Sequence, residues 1–102
     1  QKISNEVCTK FFDYDRIKDR LVVRNRRKDD YLVVNSAGNR KKLNRYFIDC
    51  KIPEHIRDSI FLLADGDHIM WVPGGRISEE YKITEDTKNV LCVECGGSEW
   101  KE

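Results

Sequence analysis

Apolar positions follow two different periods along the chain, and the longer one is clearest in "RKKLNRYFIDCKIP" at 40–53. Leu43, Tyr46, Phe47 and Cys50 recur at offsets of three, four and seven, which puts them along one side of a helix. Lys41 and Arg45 fall on the opposite side, Lys42 on its flank, and Ile48 is the one apolar residue among the polar positions. The spacing predicts an amphipathic helix that opens near Arg40 and runs to about Cys50, with one face for packing and one offering positive charge. Pro53 suits the first turn of a second, short helix, "PEHIRDSI", in which Ile56 and Ile60 are four apart.

Elsewhere the period is two. "EVCTKFFDYD" predicts an opening strand, and in "RLVVRN" Leu21 and Val23 share one face while Val22 and Arg24 share the other. "RRKDD" is a charged connection into a strand at "YLVV", and "NSAGN" is a loop. In "FLLADGDHIMWVPG", two apolar runs joined by Asp65, Gly66 and Asp67 predict a hairpin, because Gly takes the positive φ that a tight turn requires. After it come a glycine-rich bend, a short strand around Tyr81 to Ile83, a turn capped by Thr84 and a closing strand at "NVLCVEC", with residues 96–102 as a frayed tail. About six short strands and two helices that do not alternate strictly exclude a parallel doubly wound sheet and give an α+β class.

A length of 102 residues with 39% hydrophobic content fits one domain, 1–102, with a modest core. No run of about 18 apolar residues is present to span a bilayer, and "QKISNEVCTK" lacks a signal-peptide core, so the expectation is a soluble, cytoplasmic protein with no membrane partner. A first residue of Gln rather than Met suggests a piece of a longer chain. The net charge of +1 conceals a strong polarity. Residues 16–51 hold twelve basic and four acidic side chains, a net +8, whereas residues 52–102 hold five basic and eleven acidic ones. Such a concentration favours a surface that faces a polyanion.

The candidate chemistry narrows accordingly. "CVEC" at 92–95 is formally a C-x-x-C, but neither Cys8 nor Cys50, nor His55 or His68, supplies the second close pair of a structural zinc site, and a strand would turn the two thiols to opposite faces. No metal site is therefore expected. No nucleophile with its base and no nucleotide-phosphate loop is evident, and "VPGGRIS", Asp65, Asp67 and His68 are assigned to turns and strands. The remaining signal is cationic. Arg24, Arg26, Arg27 and Lys28 are expected to form one positive surface with Lys41, Lys42 and Arg45, joined by Arg76 from the bend after the hairpin, suited to a phosphodiester backbone. Tyr31, Tyr46 and Trp71 could stack on bases, although Tyr46 belongs to the apolar helix face and Trp71 to the hairpin strand. The alternative is a protein-interaction module, including a homodimer through the hairpin.

A specific family pattern runs through these segments. "KKL" at 41–43, "FID" at 47–49, "KIP" at 51–53, "RD" at 57–58, "DG" at 65–66, "WVPG" at 71–74, "RIS" at 76–78 and "TEDTK" at 84–88 resemble the C-terminal domain of bacterial tRNA(Ile)-lysidine synthetase. With "FDYDRI" and "LVVRNRRKDDY" upstream, the resemblance covers about residues 11–95. It implies a layered, β-sandwich-like fold shared with a module of the phenylalanyl-tRNA synthetase β-chain. It also implies a non-catalytic, appended domain that holds tRNA(Ile), at its acceptor stem, beside the rest of the parent synthetase. The family's adenylating domain carries a "SGGxDS" loop absent from this chain, so ATP with magnesium belongs to the parent and no cofactor to this segment. Asp29, Phe61 and Gly75 depart from the family's usual Gly, Pro, and Tyr or Leu.

Overall fold

The computed structural model describes residues 8–95 and folds them into seven short strands and two helices. In chain order the strands are β1 (Cys8–Asp13), β2 (Leu21–Arg24), β3 (Tyr31–Val33), β4 (Arg40–Lys42), β5 (Leu62–Asp65), β6 (His68–Trp71) and β7 (Val90–Cys95). The helices α1 (Leu43–Asp49) and α2 (Glu54–Arg57) lie between β4 and β5. β1 and β7 pair antiparallel as a two-stranded ribbon, and the others form a five-stranded sheet in the order β2-β5-β6-β3-β4. Only β3 and β6 run parallel. This is the expected α+β class with layered sheets, built from seven strands rather than about six. No helix among the described residues is long and apolar enough to cross a membrane.

The middle of the large sheet is buried on both faces. One face packs against α1, where Leu43 and Phe47 meet Leu32, Ile60, Leu62, Ala64, Ile69 and Val72. The other packs against the ribbon, where Phe12 meets Leu63, Met70, Trp71 and Tyr81, with Leu91 and Val93 at the margin. Every residue of β5 and β6 is consequently buried, which explains why "LLAD" and "HIMW" lack the alternation of a half-exposed strand. The hairpin joining them forms as expected, with Gly66 at a φ of 65° in the connection.

Three local expectations are corrected. Residues 40–42 are strand β4, not the first turn of the helix, because their backbone pairs with β3 through Val33–Arg40, Leu32–Lys41 and Tyr31–Lys42. The hairpin loop that enforces this pairing is set by Asn35, whose side chain accepts from Ala37 N–H and Asn39 N–H, and by Gly38 at a φ of 88°. Second, α1 stops at Asp49. Lys51 takes a φ of 59° and donates its N–H to Ile48, while Ile52 N–H reaches back to Phe47, a Schellman closure that leaves Cys50 exposed instead of packed. Third, no strand forms around Tyr81 to Ile83. Glu79–Tyr81 is a 3-10 turn that drives Tyr81 into the second core cluster. The turn organised by Thr84 is present, its hydroxyl accepting from Asp86 N–H. The predicted frayed tail at 96–102 lies outside the described residues.

Gly75, one of the departures from the family pattern, is accounted for by its neighbour. A Cβ there would stand 2.6 Å from Tyr46 Oη, which accepts a hydrogen bond from Arg76 N–H. Phe61 is exposed at the entry to β5, where nothing in the structure requires a proline, and Asp29 lies in an exposed turn.

Beside β6 a buried polar cluster ties the layers together. His68 Nε2 lies 2.7 Å from Ser78 Oγ, which accepts from Val33 N–H, and the imidazole is stacked on Tyr31 and meets Tyr81 edge-on. Burial holds His68 below its ordinary pKa of 6.5. The unfolded chain therefore takes up the proton first. The stability this contributes is complete above 6.5 and declines as pH falls below it. The melting temperature should drop between pH 7.5 and pH 5, a decline that His68→Gln should flatten; an equal slope in both proteins would contradict the assignment. Leu43→Ala, which empties a buried position between α1 and the sheet, should cost about 2–5 kcal/mol by chemical denaturation.

Candidate nucleic-acid interface

Two buried carboxylates organise the basic half of the chain. Asp30 receives a two-pronged ion pair from Arg24, at 2.7 and 2.9 Å, and accepts Arg27 N–H at 2.7 Å. Its carbonyl also accepts Leu43 N–H, so the residue that neutralises Arg24 starts α1. Asp65, at the end of β5, accepts the N–H groups of Lys18, Asp19 and Arg20 together with the Tyr81 hydroxyl. Burial alone would raise its pKa, but these donated hydrogen bonds prevail and hold it below 3.8. Both carboxylates therefore fix backbone, one on each side of β2.

The candidate cations divide by what they touch. Arg24 is corrected from a surface residue to an internal one: its side chain is only 9% exposed, and its terminal donors go to Asp30, Asn25 O and Gly66 O. Arg76 is half-buried: its guanidinium donates to Val34 O at 2.6 Å and lies 3.8 Å from the Glu79 carboxylate, while its buried Nε lacks a partner among the described residues. Arg26 bridges Asp58 and Asn44, which clamps the loop at 25–30 against both helices. Lys41 and Arg45 both reach Asp49, in a contact that offsets part of their charge but leaves Arg45 exposed. Arg27, Lys28 and Lys42 are exposed, and among the described residues their side chains make no hydrogen bond or ion pair. The two basic stretches do adjoin, since Asp30 binds the first residue of α1 and Tyr31 pairs with Lys42.

Sequence reasoning missed Arg20. It sits in what reads as a polar turn, but Asp65 anchors its N–H, and its exposed side chain lines a groove of about 330 Å³ with Arg27. Arg40 was also outside the candidate set; its guanidinium lies 4.1 Å from the centre of the Tyr31 ring. With Arg40 against it and His68 stacked on it, Tyr31 is already engaged. Trp71 is in the core, and Tyr46 is half-buried with its hydroxyl committed to Arg76. None of the three aromatics is a free stacking platform. Cys92 is an exposed residue of β7, and among the described residues no group of three or more His, Cys, Asp or Glu side chains is placed to hold a metal ion.

Residues 21–94 match the family described as the TilS substrate C-terminal domain. A tRNA(Ile)-lysidine synthase of Clostridium tetani is 36% identical over 98% of this chain, and one from Caldanaerobacter subterraneus subsp. tengcongensis is 46% identical over 83% of it. The matched regions make up 21% and 18% of those proteins, so the chain spans about a fifth of its curated relatives. A solved structure described as "Crystal structure of TILS C-terminal domain" superposes with a TM-score of 0.66 at 30% identity, covering 94% of this chain and 74% of that one.

The two kinds of cation contact should separate energetically. Asp30→Ala would leave the buried Arg24 guanidinium uncompensated and should destabilise the fold by about 3–5 kcal/mol. Asp58→Ala, which removes an exposed partner of Arg26, should cost about 0–1 kcal/mol. Urea unfolding of both variants measures the difference, and equal costs would contradict it.

Proposed function

The chain belongs to the TilS substrate C-terminal domain family, and from that premise we propose that it is the tRNA-binding, non-catalytic domain of a cytoplasmic tRNA(Ile)-lysidine synthase. On this reading the domain, spanning 1–102, holds tRNA(Ile) by its acceptor stem. The rest of the longer protein uses ATP with magnesium to join lysine to C2 of the wobble cytidine. The observation that carries the RNA-binding role is the meeting of two basic stretches at the start of α1, where Arg27, Lys28 and Lys42 are exposed beside Arg45. Unpaired cations of this kind exchange their counterions for phosphates. Arg26 and Lys41 extend the surface from within protein ion pairs, Arg24 supports it from inside, and Arg76 is half-buried between Val34 O and Glu79.

A protein contact is the rival, and it has an observation of its own. Phe11 pairs with Cys92 on the outer side of the ribbon, and Phe11 and Val90 are each more than half exposed there. That apolar side could receive the remainder of the parent protein or a second copy.

Salt titration separates the readings. Binding to tRNA(Ile) and to an acceptor-stem minihelix should weaken steeply as salt rises. Replacing Lys28, Lys42 and Arg45 together by Ala should flatten the log–log slope by roughly two to three units, at somewhat under one per phosphate contact. An unchanged affinity and slope would reduce these residues to a solvated surface and favour the protein-contact reading.

A further inference from the structure

Along β2, beside the β5–β6 turn, lies the groove of about 330 Å³, bounded by Asp19, Arg20, Val22, Arg24, Arg27 and Gly66. We propose that this groove takes one phosphodiester unit of an RNA strand, with Arg20 and Arg27 donating to the phosphate and Asp19 accepting the ribose 2′-hydroxyl. The inference rests on the RNA-binding reading above and specifies where and how the backbone is held.

Three features of the groove support it. The Arg24–Asp30 pair is internally neutral and its terminal donors are occupied, so the charge facing the opening comes from Arg20, Arg27 and Asp19. Two guanidiniums and one carboxylate leave a net single positive charge, which matches one phosphodiester. Both arginines are also held at the backbone, Arg20 N–H by Asp65 and Arg27 N–H by Asp30, so less ordering remains to be done when a phosphate arrives. Their side chains remain exposed, with no partner among the described residues.

Asp19 gives the groove its chemical selectivity. Its N–H is bound by Asp65, and its carboxylate lies against the turn, where a Cβ on Gly66 would be 3.1 Å from Oδ2. A carboxylate beside a phosphate site repels a DNA backbone, which has nothing to donate to it. RNA offers the 2′-hydroxyl as a donor, the group by which a protein distinguishes the two nucleic acids. Gly66 is required there by its positive φ.

The test measures binding of this chain to an RNA minihelix and to a panel of the same minihelix carrying single 2′-deoxy substitutions, which preserve the helix while deleting one hydroxyl each. Arg20→Ala and Arg27→Ala should each weaken binding and lower the salt slope by somewhat under one unit, with unchanged thermal unfolding, since the backbone contacts to Asp65 and Asp30 survive. For the wild type, one deoxy position should cost roughly tenfold in affinity, and Asp19→Ala, which removes the acceptor, should abolish that sensitivity. If the Lys28, Lys42 and Arg45 variant loses RNA affinity while Arg20→Ala and Arg27→Ala do not, the groove is excluded and the RNA-binding reading stands. If no deoxy position matters, or Asp19→Ala keeps the wild-type pattern, the role of Asp19 is overturned. Absence of salt-dependent RNA binding by the wild type would overturn both this inference and the function on which it rests.

Discussion

The ion pair between Arg24 and Asp30 is the contact on which the basic half of the molecule depends. A fully buried carboxylate is tolerated only with its charge matched and its lone pairs occupied, and Asp30 meets both conditions through Arg24 and Arg27 N–H. The consequences are architectural. The loop at 25–30 is folded back on β2, the carbonyl of Asp30 is aimed at the first N–H of α1, and Arg24 reaches across to the carbonyl of Gly66. One salt bridge thereby joins an edge strand, a helix start and the central hairpin turn.

Asp65 plays the corresponding part at the other end of β2. Its three backbone donors fix the chain at 18–20, and the Tyr81 hydroxyl ties that knot to the 3-10 turn that follows the hairpin. A residue that reads as hairpin punctuation thus contributes its side chain to long-range order. The pairing of a buried acceptor with several N–H donors also explains why the loop carries an ordered backbone without regular secondary structure: its polar groups are satisfied by a side chain instead of a ladder.

Charge density in a sequence is therefore a poor guide to charge available at a surface. Of the cations concentrated between residues 16 and 51, Arg24 is consumed by the core, Arg26 by the clamp onto the helices, and Lys41 by Asp49. Among those that stay open, Arg20, Arg27, Lys28, Lys42 and the exposed end of Arg45 surround the junction of β2, α1 and the hairpin turn, while Arg40 and Lys51 are exposed elsewhere. The structure also separates the exposed apolar residues Phe11 and Val90 onto the ribbon, away from the helix-packed face of the large sheet.

By itself the sequence determined the α+β class, the hairpin around Gly66, the apolar face of α1 through Leu43 and Phe47, and the position of the basic stretches, because these rest on local spacing and on the special backbone freedom of glycine. It also carried the family pattern, which the comparisons bear out over residues 21–94. Only the tertiary structure decided that residues 40–42 are a strand, since their pairing partner β3 lies across a hairpin and no local preference reveals it. The same holds for Tyr81, which reads as part of a strand but is fixed by a hydrogen bond to Asp65, sixteen residues away. Which arginines face solvent was likewise undecidable from the sequence. An arginine that pairs with a buried aspartate and one that lines a groove are the same letter, and what separates them is the position of a carboxylate brought up by folding.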